Sequence, residues 1–475
     1  MLSIDDLPDD VLLNIFDFRT VNDLDFSVLS IEESYMKREI ESWQSLVHVC
    51  RRWRGLVFRS PRRLKLQLFC THGKSARKSL DVWPALPLLI HCGHLETETS
   101  ADNAIAELEH SDRIRQILFY AKTSHIESLC TAMQAPFPEL EILSLSFQDV
   151  PYVPVLPNSF LGGSVPRLRS LNLYGVPFPG LPKVLLSATH IVNFWLENIP
   201  HSGYMSPEAI VTCLSMLTSL ENFRLDFESP QSCPDQEIRS SQPPSRSILP
   251  SLSFFCFKGV NEYLEDLVSR FDAPQLTSLS IYLFNDIHFD ATELNQFISR
   301  TLTLGTYDQA LLTFHSRQAE VELTSHHHYG TVNVSILCQV PDWQLSSLAQ
   351  IFNLSLHLLL TMENLYIQDG LYPPSDWKDD IENTEWFDLL LPFTAVKNLY
   401  LSKKFAPRIA PALQELTGGR TTEVLPALQN ILLEGFEPSE PVQEGIARFI
   451  SARQLTNHTI AVSLWDRYVP GQARQ

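Results

Sequence analysis

Nine segments of this chain carry one apolar spacing, and no other feature restricts the possible folds as much. Pro138-Glu139-Leu140-x-x-Leu143-x-Leu145 is echoed by Pro166-Arg167-Leu168-x-x-Leu171-x-Leu173. Looser copies follow at Ile191-x-x-Phe194-x-Leu196, Leu220-x-x-Phe223-x-Leu225, Pro250-Ser251-Leu252-x-x-Phe255-x-Phe257 and Pro274-Gln275-Leu276-x-x-Leu279-x-Ile281. After a gap the spacing returns at Met362-x-x-Leu365-x-Ile367, Val396-x-x-Leu399-x-Leu401 and Pro426-Ala427-Leu428-x-x-Ile431-x-Leu433. The last positions of the first six copies are 28, 23, 29, 32 and 24 residues apart. Two apolar residues two apart share one face of a short strand. A unit this short cannot bury that face alone, so the expected solution is parallel stacking, with a helix or loop returning the chain each time.

The spacing and its interval resemble the leucine-rich repeat, which implies a solenoid. The third position after the last apolar residue, where such repeats usually carry Asn or Cys, holds Gln148, Val176, Ile199, Glu228, Val260 and Phe284. No asparagine ladder is therefore expected, and the turns should vary. A three-position pattern also fits unrelated strands of an ordinary α/β domain, and that reading stays open. Between 302 and 337 the pattern fades. There Val321 and Leu323 alternate, as do Val332, Val334 and Ile336, which predicts degenerate repeat strands or a hairpin. Elsewhere the patterning predicts a strand over 64–69 and helices over 104–133 with a break near Ser111. Further helices are expected near 386–391, 406–416 and 442–452, before a last strand over 459–464.

The N-terminus carries a second pattern. Leu7-Pro8-Asp9-Asp10-Val11-Leu12-Leu13-Asn14-Ile15-Phe16 reads as a short helix, with Pro8 in the first turn and Asp9 and Asp10 complementing its positive end. Leu7, Val11, Ile15 and Phe18 fall on one face, which Leu12 and Phe16 widen. Trp43, Leu46, Val47, Cys50, Trp53 and Val57 recur at helical spacing in a second helical stretch. With its Leu-Pro opening and its Val49-Cys50-x-x-Trp53 close, this region resembles an F-box. That resemblance implies a partner, the Skp-type adaptor of cullin-RING ubiquitin ligases. The contacts it implies run through Leu7, Pro8, Val11, Leu12, Ile15, Phe16, Trp43, Leu46, Val49, Cys50 and Trp53, in a helix-in-groove manner. Residues 19–42 are longer and more polar than the link in most F-boxes. A plain helical hairpin capping the next domain is the alternative reading.

Three further segments extend the likeness: Pro341-Asp342-Trp343-Gln344-Leu345-Ser346-Ser347-Leu348, Pro392-Phe393-Thr394-Ala395-Val396-Lys397-Asn398-Leu399-Tyr400-Leu401-Ser402 and Gly418-Gly419-Arg420-Thr421-Thr422-Glu423-Val424-Leu425-Pro426. With them the chain resembles, over nearly its full length, the F-box proteins with irregular leucine-rich repeats abundant in mushroom-forming fungi. The fold class expected is α/β: a helical F-box over 1–60, a linker and first part of the repeat domain over 61–135, irregular repeats over 136–440 and a C-terminal cap over 441–475. The parallel sheet should curve, with helices and loops on its convex side.

Composition narrows the function. A net charge of −19 over 475 residues argues against general nucleic-acid affinity, which needs a basic surface. The eight cysteines include no C-x-x-C pair, so neither a zinc site nor a disulfide framework is expected, and reduced thiols in an intracellular, cytoplasmic or nuclear protein are the simplest account. No secretory signal and no apolar run long enough for a membrane span is visible. Nucleotide-binding, zinc-protease and nucleophile-elbow motifs are missing, and no cofactor is expected. His326 to His328 are adjacent in a turn and cannot all face one ion, and Asp379, Asp380, Glu382 and Glu385 read as surface charge.

Binding residues are easier to find than catalytic ones. Strand positions flanking the last apolar residue point away from the core, and there the copies place Tyr174, Trp195, Arg224, Asp226, Lys258, Tyr282, Tyr366 and Tyr400, with Glu197 and Glu434. Tyr, Trp and Arg are the side chains that most often anchor interfaces. The function implied is the substrate-recognition subunit of an SCF-type ubiquitin ligase, which holds a protein target on the repeat face and has no catalysis of its own. A non-degradative interaction scaffold and an enzyme on an unrecognised α/β domain are the competing expectations.

Overall fold

The computed structural model describes residues 4–18, 38, 40–71, 83–93, 98–121, 126–147, 155–178, 181–233, 245–284, 292–305, 307–325, 330–338, 343–354, 356–370, 383–416, 422–435, 440–456 and 458–465. The chain is a mixed α/β protein dominated by parallel strands, and it divides into two compact units, Met1–Met205 and Ser206–Gln475.

In the first unit, helices α1 (Asp9–Asp17), α2 (Gln44–Val47) and α3 (Arg51–Arg59) precede six strands. These are β1 (Leu68–Thr71), β2 (Leu88–Cys92), β3 (Ile114–Ala121), β4 (Ile142–Phe147), β5 (Ser170–Tyr174) and β6 (Asn193–Ile199), neighbours in chain order and parallel throughout. Helix α4 (Glu98–Leu108) links β2 to β3, α5 (Ile126–Ala132) links β3 to β4, and α6 (Leu181–Leu185) links β5 to β6.

The second unit opens with α7 (Pro207–Leu214) and β7 (Asn222–Phe227), followed by β8 (Ser247–Ile248), β9 (Phe254–Gly259), α8 (Asn261–Ser269), β10 (Phe271–Asp272), β11 (Ser278–Phe284) and α9 (Thr292–Arg300). Next come β12 (Gln309–Phe314), β13 (Gln318–Thr324), β14 (Thr331–Leu337), α10 (Trp343–Leu354) and β15 (Asn364–Asp369). The series ends with α11 (Asn383–Leu390), β16 (Asn398–Leu401), α12 (Ala406–Glu415), β17 (Asn430–Glu434), α13 (Glu440–Gln454) and β18 (Ala461–Trp465). The main sheet runs β7-β9-β11-β14-β13-β12-β15-β16-β17-β18, and β8 and β10 form a small separate pair.

All three apolar positions of all nine copies are buried. In each copy the last two lie in a strand and meet their counterparts in register: Leu143 with Leu171, Phe255 with Leu279, Leu365 with Leu399, Leu399 with Ile431. The first apolar residue closes a tight turn. The Leu140, Leu168, Leu276 and Leu428 N–H groups donate to the carbonyls of Phe137, Val165, Ala273 and Leu425. Pro138, Pro166, Pro274 and Pro426 take the second place of that turn, where a fixed φ is pre-set and no N–H is needed.

A rung of shared carbonyls ties one copy to the next. Glu141 O accepts from the N–H of both Arg169 (2.8 Å) and Ser170 (3.1 Å), and Lys397 O from both Gln429 (2.8 Å) and Asn430 (2.9 Å). Near the last turn Arg453, buried at the end of α13, donates from Nη2 to Val424 O (2.6 Å) and Leu425 O (3.0 Å) and from Nη1 to Pro426 O (3.3 Å). Those carbonyls are what make a buried guanidinium tolerable.

The structure departs from the patterning in three places. The stretch expected as helix over 104–133 contains β3, and Ile114-x-x-Ile117-x-Phe119 is a further buried copy of the spacing. The alternation is masked because Leu118, on the opposite face, joins Phe69 and Leu89 in a second apolar cluster that receives Ile40 and Ile142. Over 302–337 the hairpin expectation holds, with an unexpected placement. Strand β13 lies antiparallel between β12 and β14, while β14 pairs parallel with β11 and β12 parallel with β15. His315 N–H donates to Gln318 O (2.8 Å) across the tight β12–β13 turn. Finally, an asparagine ladder exists, at the start of the strand and not three residues after its last apolar residue: Asn398 Nδ2 donates to Asn364 Oδ1 (2.8 Å) and Asn430 Nδ2 to Asn398 Oδ1 (2.7 Å). Each precedes the first apolar residue of its strand.

The cysteines are present as thiols, and burial pushes Cys130, Cys213 and Cys338 up to about 11, the range of inert thiols. Glu107 in α4 is fully buried, and among the described residues neither carboxyl oxygen has a hydrogen-bond partner; burial pushes its pKa from 4.5 up to about 8. The folded chain therefore holds this proton up to pH 8, whereas the unfolded chain releases it near pH 4.5. Its contribution to stability is complete at low pH and drains away as pH rises toward 8. Glu107→Gln should flatten the pH profile across that window and raise stability at pH 7 by on the order of 2–4 kcal/mol, read by urea unfolding at several pH values.

Candidate functional site

Helix α1 begins directly after Pro8, whose φ of −57° and ψ of 151° place it outside the helix and not in its first turn. Asp9 and Asp10 occupy that turn and complement the helix dipole. The helix is apolar on two sides. Leu12 and Phe16 are buried, and the Phe16 ring packs on Trp53 with centroids 4.6 Å apart. Arg52 of α3 pins the start of α1, its Nη2 donating to Leu7 O and to Asp9 Oδ1, both at 2.6 Å.

The second helical stretch is not continuous. It breaks at 48–50, where Cys50 turns extended and its Sγ accepts from Trp53 N–H (3.4 Å) as the cap of α3. A sulfur cap leaves no signal in apolar spacing, so the sequence read through it. The break carries Val49 out of the apolar stripe to 58% exposure. Trp43 goes the other way. Its indole N–H donates to Gln67 O (3.0 Å), its ring meets Trp83 edge-on at 5.1 Å, and it is buried.

The expected adaptor contacts therefore separate into two groups. Leu12, Phe16, Trp43 and Leu46 form the interior of the N-terminal helices and are covered by this chain itself. Pro8, Ile15 and Val49 are exposed, and Leu7, Val11, Cys50 and Trp53 are half-buried. One residue outside that set belongs with the exposed group: Phe18, 94% exposed, extends the stripe Leu7, Val11, Ile15 by a further turn. Its spacing made it findable. The segment 19–37, most of the long link, lies outside the described residues.

In the second unit the sheet face opposite the core gathers most of the expected target contacts. Asp226, Lys258 and Tyr282 stand in one row on β7, β9 and β11, and Arg224 lies two residues before Asp226. Burial raises the Tyr282 hydroxyl pKa; Cys256, Glu320 and Asp226 push the same way and Arg224 opposes. Glu320, carried in by the antiparallel β13, accepts a hydrogen bond from Asn333 and lies 3.7 Å from His315 Nε2. Lys258 Nζ sits 5.5 Å from the centre of the Phe284 ring. Tyr366 and Tyr400, neighbours on β15 and β16, stack at 4.1 Å and 13°. Trp465 stands edge-on to both, at 6.1 and 5.5 Å. Trp465 was missed because the terminal segment read as a cap. In the first unit, Tyr174 pairs with Glu197 and Trp195 with Asn172 on β5 and β6. All eight expected target contacts are half-buried.

This arrangement offers rings, paired charges and amides, the chemistry of a recognition surface. No group of His, Cys, Asp or Glu suited to a metal occurs among the described residues. His326 to His328, and Asp379, Asp380 and Glu382, lie outside them. No described helix is long and apolar enough to cross a membrane. No protein-family model matches this chain, and no curated protein matches it either.

Because Ile15 and Val49 face solvent, Ile15→Asp and Val49→Asp should each leave unfolding stability within about 0.5 kcal/mol of wild type. Trp43→Ala should cost about 3–5 kcal/mol, measured in the same urea titration.

Proposed function

We propose that this chain is the substrate-recognition subunit of an SCF-type cullin-RING ubiquitin ligase, docking a Skp-type adaptor through its N-terminal helices and a protein target through the sheet face opposite its core. The observation that carries the reading is the exposure of Ile15 on α1, of Phe18 just after it and of Val49, beside the half-buried Leu7 and Val11, on a module whose own core is already filled by Leu12, Phe16, Trp43 and Leu46. A helix that is apolar on its outer side as well as its inner side has a second surface to bury, and a partner groove is the ordinary way to bury it. The resemblance of Leu7-Pro8 and Val49-Cys50-x-x-Trp53 to an F-box supplies the identity of the partner.

The target side rests on Arg224, Asp226, Lys258 and Tyr282 as one cluster and on Tyr366 and Tyr400 as another. Fixed rings and charges on a rigid sheet lose little conformational freedom on binding, which favours recognition. This chain's part in ubiquitin transfer is proximity: it holds the target where a separately bound conjugating enzyme reaches its lysines.

The test is a pull-down of purified chain with a Skp-type adaptor, comparing wild type with Ile15→Asp/Val49→Asp. Wild type should retain the adaptor and the double variant should lose it while its unfolding curve stays unchanged. A folded wild type that does not bind would remove the ligase reading and leave the interaction scaffold.

A further inference from the structure

The face opposite the core carries one sign of charge on β12, β13, β15, β16 and β17. Glu320, Glu322 and Glu434 stand there, and no outward position on these strands holds Lys or Arg. Two cations beside them are engaged elsewhere, Lys397 with Glu363 (2.6 Å) and Lys404 with Asp369 (3.6 Å).

Register turns part of this face into a slot. Glu322 on β13 pairs with Leu311 on β12, and Leu311 pairs with Tyr366 on β15. The three side chains therefore form one row, and all three are half-buried. Tyr400, on the other side of Tyr366, covers one face of its ring, stacked at 4.1 Å and 13°. Rings stacked from neighbouring strands stand across the row, so the second face of Tyr366 looks back over Leu311 toward Glu322. Strands lie about 4.8 Å apart, which puts the Glu322 and Tyr366 backbones about 10 Å from each other. That width takes one planar group, at about 3.5–4 Å from the ring and about 3 Å from the carboxylate.

We propose, resting on the reading of this face as the target surface, that the slot takes an arginine side chain of the target protein, its guanidinium lying above Leu311 between the Tyr366 ring and the Glu322 carboxylate. A cation is drawn to the face of an aromatic ring, and a guanidinium adds a flat surface for stacking and a fork of N–H donors that matches a carboxylate. A lysine ammonium supplies the charge without the plane or the fork. An acidic side chain would meet Glu320 and Glu322 on a chain that already carries −19. Tyr366 is also held in place, by Tyr400 on one face and by Trp465 edge-on at 6.1 Å, so the ring loses little freedom when the guanidinium arrives.

The test is fluorescence anisotropy with the full chain and a short labelled Gly/Ser peptide bearing a pair of arginines, beside versions with lysine, citrulline or glutamate in their place. The arginine peptide should bind at least about tenfold more tightly than the citrulline one, which keeps the shape and loses the charge, and more tightly than the lysine one. Glu322→Gln should remove most of the preference over citrulline and Tyr366→Leu the preference over lysine, with unchanged circular dichroism spectra. Glu208→Gln, at an exposed carboxylate of α7, removes the same charge elsewhere and controls for the general attraction of an acidic chain. Arginine bound no better than citrulline or lysine, or a Glu322→Gln effect no larger than that of Glu208→Gln, would overturn the proposal. The glutamate peptide separates that result from loss of the target surface itself. Its binding, abolished by Lys258→Glu, would overturn the arginine assignment and leave the surface standing, whereas binding of no peptide would overturn both.

Discussion

A strand carrying two apolar residues on one face is too narrow to bury them, and the architecture of this chain follows from that shortage. Each copy covers its neighbour: Leu143 and Leu145 lie beside Leu171 and Leu173, and Leu399 and Leu401 beside Ile431 and Leu433. The shared carbonyls of Glu141 and Lys397 fix the offset, since each accepts two successive N–H groups from the following copy. A one-residue slip would lose both bonds and turn the apolar pair to the opposite face. Register is thus held twice, by polarity and by burial.

The same shortage explains the ends. At β1 the answer is local: Trp43, Glu41 and Ile40 come from the helical segment before the sheet and cover its first strand. Trp43 therefore serves the sheet as much as the helices, and the N-terminal helices pack as part of the first unit. That frees the outer side of α1 for other uses, because its inner side is committed to Phe16 against Trp53.

The sequence made the repeat legible because burial at every third and second position leaves a periodic trace. All nine copies lie where the spacing put them, and the helices near 386–391, 406–416 and 442–452 are present with small shifts at their ends. What escaped has physical causes. β3 is apolar on both faces, so its period-two signal cancels; the Cys50 cap is a sulfur contact that no spacing encodes. The ladder of Asn364, Asn398 and Asn430 was legible in principle, but at the first residue of the strand and not at the position after it. In the candidate site, the spacing identified which residues leave the core and could not say which would meet. Register alone brings Asp226, Lys258 and Tyr282 into one row, and an inserted strand brings Glu320 to them.

That inserted strand also changes how far along the chain a contact must reach. Most neighbouring copies join residues about one repeat apart, as Glu139 and Arg167 do at 28 residues. At the β12–β14 excursion the partners are Ser278 with Thr331, 53 residues apart, and Thr313 with Gln368, 55 apart. Doubling a loop adds only about 0.6 kcal/mol of closure entropy, so native stability is hardly touched. Order of assembly is another matter. An array that otherwise zips by nearest neighbours meets two long closures in succession, with a hairpin that must form between them. The hairpin is therefore the step on which assembly of this unit turns, because the copies on either side of it join one sheet only through β13.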